Sequence, residues 1–593
     1  MSLDGTWRFA LDPPARWRDP AEVVFDRQIT VPFAPETELS GVGETGFFNA
    51  CWYQRTFAPP SLARGERLLL HFGAVDHTAT VWVDGVVAAR HEGGYTPFSA
   101  DVTDLVRRPE SILTVRAFDD PADLAKPRGK QDWQLHPHAI WYPRTTGIWQ
   151  PVWLEKVPAA RIAALRWTTD LERWEIGLSA YVAGDVPADV HLRVRLHVRE
   201  TTLAEDVYRV VGGEVRRHIA FSDPGIDDYR NELLWSPTNP TLIGVDLDLV
   251  GGVGGPPLDV VRSYTALRSV AVQGERFVLN GRVMPLRFVL DQGYWPGGGM
   301  TPPDDEAVKR DVSLAKAMGF NGARKHQKIE TPRYLYWADR LGFMVFEEMP
   351  SAYRFTRESI TRLTAEWSAA LARDSSHPSI VAWVPFNESW GVPDLPAIAA
   401  QRNYVQALYH LTKTLDPTRP VIGNDGWESV ATDIIGIHDY DTDPERLARR
   451  YEHLETVPQL FKHGRPGGRL LTVEGHPFAG QPVMLTEFGG ILLADTPTAW
   501  GYARAETAAR FAEHYAALLR AVRSSELLAG FCYTQLADTY QEANGLLRAD
   551  RTPKFPIVEI AAATRGPQAA LASSPASEVA AEDDDFGEEA ESS

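Results

Sequence analysis

A chain of 593 residues is too long for one hydrophobic core, and at roughly 150 residues per domain it predicts three or four. Hydrophobic residues make up 44% and charged residues 23%, which is ordinary for a globular protein. The net charge of −19 argues against a nucleic-acid partner, and it stays negative when the eight acidic residues between Glu578 and Glu591 are set aside.

The N-terminus, MSLDGTWRFALDP, has no basic stretch followed by an apolar run, so no signal peptide is expected. No segment offers the ~20 apolar residues that span a bilayer, so no membrane partner is expected and the default compartment is the cytoplasm. From residue 1 to 155 short alternating runs such as Trp52–Phe57, Arg67–Phe72 and Ile112–Ala117 are separated by turn residues, which predicts a β-sandwich. Cys51 lies in this part and Cys532 far away, giving neither a disulfide framework nor metal-ligand spacing. From 156 to 270 the alternation continues, as in His191–Val198, and predicts a second, immunoglobulin-like sandwich.

From 271 to 565 the rhythm changes. Apolar runs at 283–290, 319–326, 343–349, 380–387, 420–424, 434–440, 482–488 and 528–536 alternate with helical stretches such as Asp304–Met318, Thr361–Asp374, Leu395–Leu415 and Glu506–Arg523. Eight such repeats predict a (β/α)8 TIM barrel, because parallel strands need helical crossovers and their doubly buried strands read as apolar runs. No Gly-rich dinucleotide turn supports the rival open sheet. Residues 566–593 carry no basic side chain and read as a disordered acidic tail.

In a TIM barrel the chemistry sits at the C-terminal ends of the strands. Those ends read Asn321 to His326, Glu347 to Pro350, Asn387-Glu388, Asn424 to Trp427, His438-Asp439-Tyr440, Thr486 to Gly489 and Tyr533 to Gln535. Two carboxylates stand out, Glu388 after IVAWVPFN and Glu487 after PVMLT. A charge at the end of a buried strand costs several kcal/mol to desolvate unless its surroundings use it. Strands four and seven face one another across an eight-stranded ring, and glycoside cleavage with retention needs two carboxyls about 5–5.5 Å apart. The bland alternative is that either glutamate is an ion-pair partner of Arg324. Trp427 is a candidate sugar platform, one of 18 tryptophans in a Trp-rich chain. Specificity is expected to reside around His326, His438, Asp439 and Tyr533. His136-Pro137-His138 has spacing that rarely aims two imidazoles at one ion, and no metal is expected.

The motifs HPSIVAWVPFNESWG (377–391) and PVMLTEFGG (482–490) carry a resemblance to glycoside hydrolase family 2, the group of β-galactosidases, β-glucuronidases and β-mannosidases. MGFNGARKHQKIETPRYLYWADRLGFMVFEEMP and NGLLRADRTPK extend it over residues 1–562, in the order sugar-binding jelly roll, immunoglobulin-like sandwich, catalytic barrel. The resemblance implies a retaining, exo-acting β-glycosidase without cofactor, with Glu388 as acid/base and Glu487 as nucleophile. It implies that Asn387 binds the sugar 2-hydroxyl, that Tyr440 donates to the nucleophile and that Arg324 keeps it ionised. It also implies a carbohydrate substrate, a possible homo-oligomer, and a jelly-roll loop, Lys130-Gln131-Asp132-Trp133, that reaches the barrel mouth.

Three departures bear on the sugar. Arg324 and His326 are closer in sequence than the family's Arg-x-x-His, and His438 replaces an Asn common at the strand-six tip. The Asn-x-Lys pair with which β-glucuronidases hold a carboxylate reads Glu542-Ala543-Asn544, although Lys325 or Lys328 could supply charge from elsewhere. The expected order is therefore β-galactoside first and β-glucuronide second, with mannoside, pentoside and furanoside open. A decayed, non-catalytic carbohydrate-binding protein is the rival from another class.

Overall fold

In the computed structural model, residues 1–221, 232–453, 456–462, 466–493 and 499–566 are described. The predicted acidic tail falls outside them. The first domain is a sandwich whose six-stranded sheet carries Gly5–Asp12, Ala50–Phe57 and Ser111–Phe118, and whose three-stranded sheet carries Arg67–Phe72 and Val152–Val157. One face of each sheet is apolar, and Phe9, Tyr53 and Val115 meet Leu68, Leu70 and Leu154 in a common core. The second domain packs a three-stranded sheet, containing Ala160–Asp170 and Glu175–Gly184, on a four-stranded one containing Val190–Val198 and Ile243–Gly251. Trp167 and Leu178 from the first sheet close on Leu192, Val194 and Leu247 from the second.

The barrel follows a short antiparallel sheet at Val270–Val283. Seven parallel strands form a curled sheet: Leu286–Asp291, Gly322–Lys325, Met344–Glu348, Ile380–Val384, Ile435–Asp439, Val483–Gly489 and Leu528–Thr534. These are strands one to four and six to eight of the predicted ring. Helices Asp305–Ala317, Pro332–Leu341, Arg357–Asp374, Ala399–Leu415 and Ala508–Arg523 cover its outside.

The predicted fifth strand, 420–424, does not form a ladder. It meets the strand-four side through two isolated bridges, Trp383 with Val421 and Asn387 with Asp425. Pro385 lies between those bridges and has no N–H to donate, so the ladder breaks there.

The sandwich domain and the barrel share one core. Ala34, Ala74, Tyr95, Tyr142 and Trp149 from the first domain pack in the same cluster as barrel residues Tyr294, Trp295 and Leu363. Tyr95 N–H donates to Glu366 at 2.6 Å, and Gln541 donates to the carbonyls of Ala139 and Trp141 at 2.8 and 2.7 Å. The glycine-rich segment 295–299 after strand one is a packed turn, closed by the Trp295 N–H on Gly299 O at 2.8 Å. Trp295 is buried beneath Lys328, and Gly297 O accepts from Leu39 N–H at 2.9 Å.

Candidate active site

Side chains alternate along each strand, so every second residue at a tip enters the barrel and the others face the helices. Arg324 enters, wholly buried, and becomes the hub. It donates to Glu348 at 2.6 Å, to Glu487 at 2.7 Å and to Asn387 Oδ1 at 2.6 Å, while its Nε lies 3.1 Å from Asp425. A planar fork with five donors satisfies three strand tips at once, which an ammonium cannot do. Burial pushes Glu348 up to about 7 despite Arg324. Burial acts the same way on Asp425, but Arg324 and His438 outweigh it and hold that carboxyl well below its usual range.

Glu388 follows Asn387 where strand four turns outward. Glu388 and Ser389 both adopt left-handed backbone, φ 50 and 58, a conformation costing of order 1–3 kcal/mol each for non-glycine residues. The tip of the fifth segment holds them there: Glu388 N–H donates to Asp425 O at 2.9 Å and Ser389 N–H to Asn424 Oδ1 at 3.0 Å. Glu428 accepts from the Ser389 hydroxyl at 2.6 Å.

Glu487 faces Glu388. One oxygen from each, with one nitrogen of His438, lie within 4.8 Å of one another. Tyr440 donates to Glu487 Oε2 at 2.5 Å, and its ring stacks on Tyr502 at 3.3 Å. Burial alone would raise the Glu487 carboxyl. The charges of His438 and Arg324 and the Tyr440 hydroxyl reverse that and pull it down to about 2, so it is ionised at neutral pH. His326 Nδ1 lies 3.2 Å from Glu348 and 3.8 Å from Glu487, and burial drives its ring toward the neutral form. Asn387 Nδ2 is a buried donor with no partner among the described residues.

Six further residues from the sequence reading take varied places. His438 lies inside, between the two carboxylates. Trp427 packs edge-on against the His438 ring at 5.6 Å, half-buried. Asp439 and Tyr533 do not reach the mouth, because alternation turns both toward the helices. Asp439 pairs with Arg450 and accepts from Tyr451 at 2.8 Å, and Tyr533 packs on Phe488 and Tyr515. Their inward neighbours are Tyr440 and Thr534, whose hydroxyls lie 3.2 Å apart.

The 130–133 loop does reach the barrel. Arg128 and Gly129 N–H groups donate to Ser351 O at 3.0 and 3.2 Å. Gly129 has φ 57, and an added Cβ would sit 2.3 Å from the Gln327 carbonyl oxygen, so only glycine fits. Trp133 packs on Tyr353 at 5.2 Å. Asp132, however, is spent on folding the loop. It accepts from Gln134 N–H and from both the N–H and the ring of His138.

Lys325 and Lys328 are not free to meet a substrate either. Lys325 pairs with Asp291 at 2.6 Å and Glu330 at 3.0 Å, and Lys328 with Glu330 at 2.9 Å.

Sequence reading passed over Glu348, Asp425, Trp390 and Tyr502 as site residues, and named Lys130 only as part of the 130–133 loop. Parity along strands three and five could have found the first two. Lys130 is 4% exposed, with its ammonium 5.7 Å from the ring centroids of both Tyr142 and Trp390. It makes no hydrogen bond or ion pair with the described residues. Tyr142 in turn donates to Glu542 at 2.5 Å.

The profile for the family 2 TIM barrel domain of glycosyl hydrolases matches residues 270–564, and that for the family 2 sugar binding domain matches residues 45–158. The chain belongs to glycoside hydrolase family 2. Like other members of the family it is a glycoside hydrolase, of the β-glycosidase type. It is 27% identical to a β-glucuronidase of Paenibacillus borealis over 71% of this chain and 72% of that one. A β-galactosidase of Thermoanaerobacter pseudethanolicus is 24% identical, over 63% of this chain but 48% of that protein. Among solved structures, a Bifidobacterium dentium β-glucuronidase in complex with coumarin-3-O-glucuronide superposes with a TM-score of 0.76 at 21% identity, covering 95% of this chain and 96% of that one. A β-galacturonidase from Eisenbergiella tayi gives 0.72 at 19% identity, covering 95% and 96%. These relatives favour glucuronidases over galactosidases, the reverse of the order expected from sequence.

Proposed function

We propose that this family 2 enzyme is a retaining, exo-acting β-glycosidase in which Glu487 attacks the anomeric carbon and Glu388 protonates the leaving oxygen, then activates water. The observation that carries this reading is the spacing of the two carboxylates, with oxygens within 4.8 Å. Inversion needs about 6.5–9.5 Å between carboxyls to seat a water, whereas retention uses about 5–5.5 Å. The electrostatics support the division of labour, since Glu487 is held ionised by Arg324, His438 and Tyr440 as a nucleophile must be. Asn387 Nδ2 offers a donor for the 2-hydroxyl, a contact that strengthens as the sugar flattens toward the transition state.

The preferred sugar is a β-uronide, with β-glucuronide first. The relatives point there, and Lys130 offers a buried cation near Glu542, where the Asn-x-Lys pair is missing. A β-galactoside is the second reading, because Glu542 puts a hydroxyl-accepting carboxylate beside the same end of the site. A panel of 4-nitrophenyl glycosides followed by proton NMR tests both statements. The β-anomer should appear first and only later mutarotate, and turnover should be greatest on a uronide. Initial release of the α-anomer would defeat the retaining mechanism. Preference for the neutral galactoside would defeat the uronide assignment alone.

A further inference from the structure

The His438 ring is fully buried and held on three sides. Its Nδ1 lies 2.7 Å from Glu388 Oε1 and 3.5 Å from Glu487 Oε2, and its Nε2 lies 3.6 Å from Asp425 Oδ2 and 3.3 Å from an Arg324 nitrogen. Trp427 packs against its edge, and Gly426, at φ 96, lies so close that an added Cβ would be 2.7 Å from Nδ1. The ring therefore cannot swing away from Glu388. The charged groups facing it are three carboxylates from the strand-four, strand-five and strand-seven tips, Arg324 from strand two, and His326 beyond it.

A neutral imidazole donates from one nitrogen only; here Nδ1 meets Glu388 directly, and Nε2 lies between Asp425 and Arg324. Three anions against one guanidinium favour the imidazolium. Burial opposes that charge, but Glu487, Asp425 and Glu388 overcome it and raise the ring to about 10. The proton on His438 thus lies one hydrogen bond from the group that must deliver a proton.

We propose that Glu388 and His438 act as one acid–base unit holding a single proton along the Nδ1–Oε1 hydrogen bond, with His438 a positioning residue that works through Glu388. The proposal rests on the reading of Glu388 as acid/base. Imidazolium with carboxylate and imidazole with carboxylic acid have the same proton count, so the pair titrates as a unit. In the first half-reaction the carboxylic acid form gives its proton to the glycosidic oxygen. The C1–O bond breaks and Glu487 forms an ester to C1, leaving imidazole and carboxylate. In the second, water transfers a proton to that carboxylate, its oxygen bonds C1, and the ester C1–O bond breaks to free Glu487. The proton then returns to Nδ1. Glu487 synchronises the exchange. Its negative charge, which stabilises the imidazolium, disappears on ester formation and reappears on hydrolysis, so His438 releases and reclaims the proton in step with the chemistry.

The test is the pH dependence of kcat/KM for the full chain and for His438→Asn on an activated aryl glycoside. The unit in the wild type keeps its proton to high pH, and the variant lacks the nitrogen that holds it beside Glu388. The alkaline limb should therefore move to lower pH by about one unit or more in the variant. Alkyl glycosides should lose about 100-fold in kcat, and dinitrophenyl glycosides about 10-fold or less, because a good leaving group needs little protonation. A packing role alone would lower all rates together and leave the limb in place, and that result would overturn the proposal. Should the variant fail to fold, nitrogen NMR of the wild type decides: His438 must be an imidazolium at about pH 8, and a neutral ring there refutes the unit. Glu388→Ala separates the two claims. If that variant loses alkyl and dinitrophenyl turnover equally, the acid/base reading itself fails, whatever His438 does.

Discussion

Replacing Arg324 by Lys keeps one positive charge and removes the fork. Arg324 now serves Glu348 at 2.6 Å, Glu487 at 2.7 Å, Asn387 at 2.6 Å and Asp425 at 3.1 Å from three different nitrogens. One ammonium can reach two of these acceptors at most, so at least two of these charge-assisted contacts are lost. At about 1.5–3 kcal/mol each, the loss is about 3–6 kcal/mol, comparable with the 3–5 kcal/mol for breaking a buried ion pair. Part falls on folding and part on the reaction, because Glu487 loses a partner that keeps it ionised. Urea denaturation measures the first part and kcat/KM the second. A second substitution checks the reasoning: Glu348→Gln destabilises the wild type by stranding a donor of Arg324, but in Arg324→Lys it removes a carboxylate already short of partners. The two changes should show a favourable coupling of about 1 kcal/mol or more. Additive effects, or a single variant within about 0.5 kcal/mol of the wild type, would refute the hub.

Three further outcomes are expected. Glu487→Gly should abolish turnover and regain it with azide as the α-azide, while Glu388→Ala should retain activity on dinitrophenyl glycosides and give the β-azide; exchanged stereochemistry would reverse the assignment. Lys130→Met should raise KM for 4-nitrophenyl β-glucuronide about 10-fold or more and leave the galactoside within about 3-fold, in line with one charge-assisted bond; equal shifts would remove Lys130 from recognition. His438 rises from 6.5 to about 10 on folding, so its stabilisation is complete below pH 6.5 and is lost as pH climbs toward 10. The wild-type melting temperature should fall across that window and the His438→Asn curve should be flatter there, and parallel curves would contradict the charged ring.

Residues with short-range signals were legible from sequence. The helix Asp305–Ala317 carries its Asp304 cap, and the apolar runs locate seven strands to within a few residues. Residues 420–424 have the same apolar look, yet whether they pair depends on Pro385 in the neighbouring strand. Asp439 and Tyr533 show a second limit. Tip position identified them, but which face they occupy depends on parity relative to an inward reference, which Arg324 supplies only once the ring is closed. Lys130 lay beyond reach for a different cause: its role as an unpaired cation is defined by aromatic neighbours about 12 and 260 positions away, Tyr142 and Trp390.

The contacts from the N-terminal sandwich into the barrel change what counts as a part of this enzyme. Tyr142, which donates to Glu542, and Gly129, which only fits beneath Gln327, lock the outer domain against the barrel. A barrel cut out at residue 270 would expose the underside of Trp295, take the Tyr95 donor from Glu366 and leave Glu542 with Asn544 alone. Boundaries drawn by strand content therefore do not mark exchangeable cassettes. A sandwich domain from one relative grafted on the barrel of another would have to rebuild these contacts before the two could pack as one core.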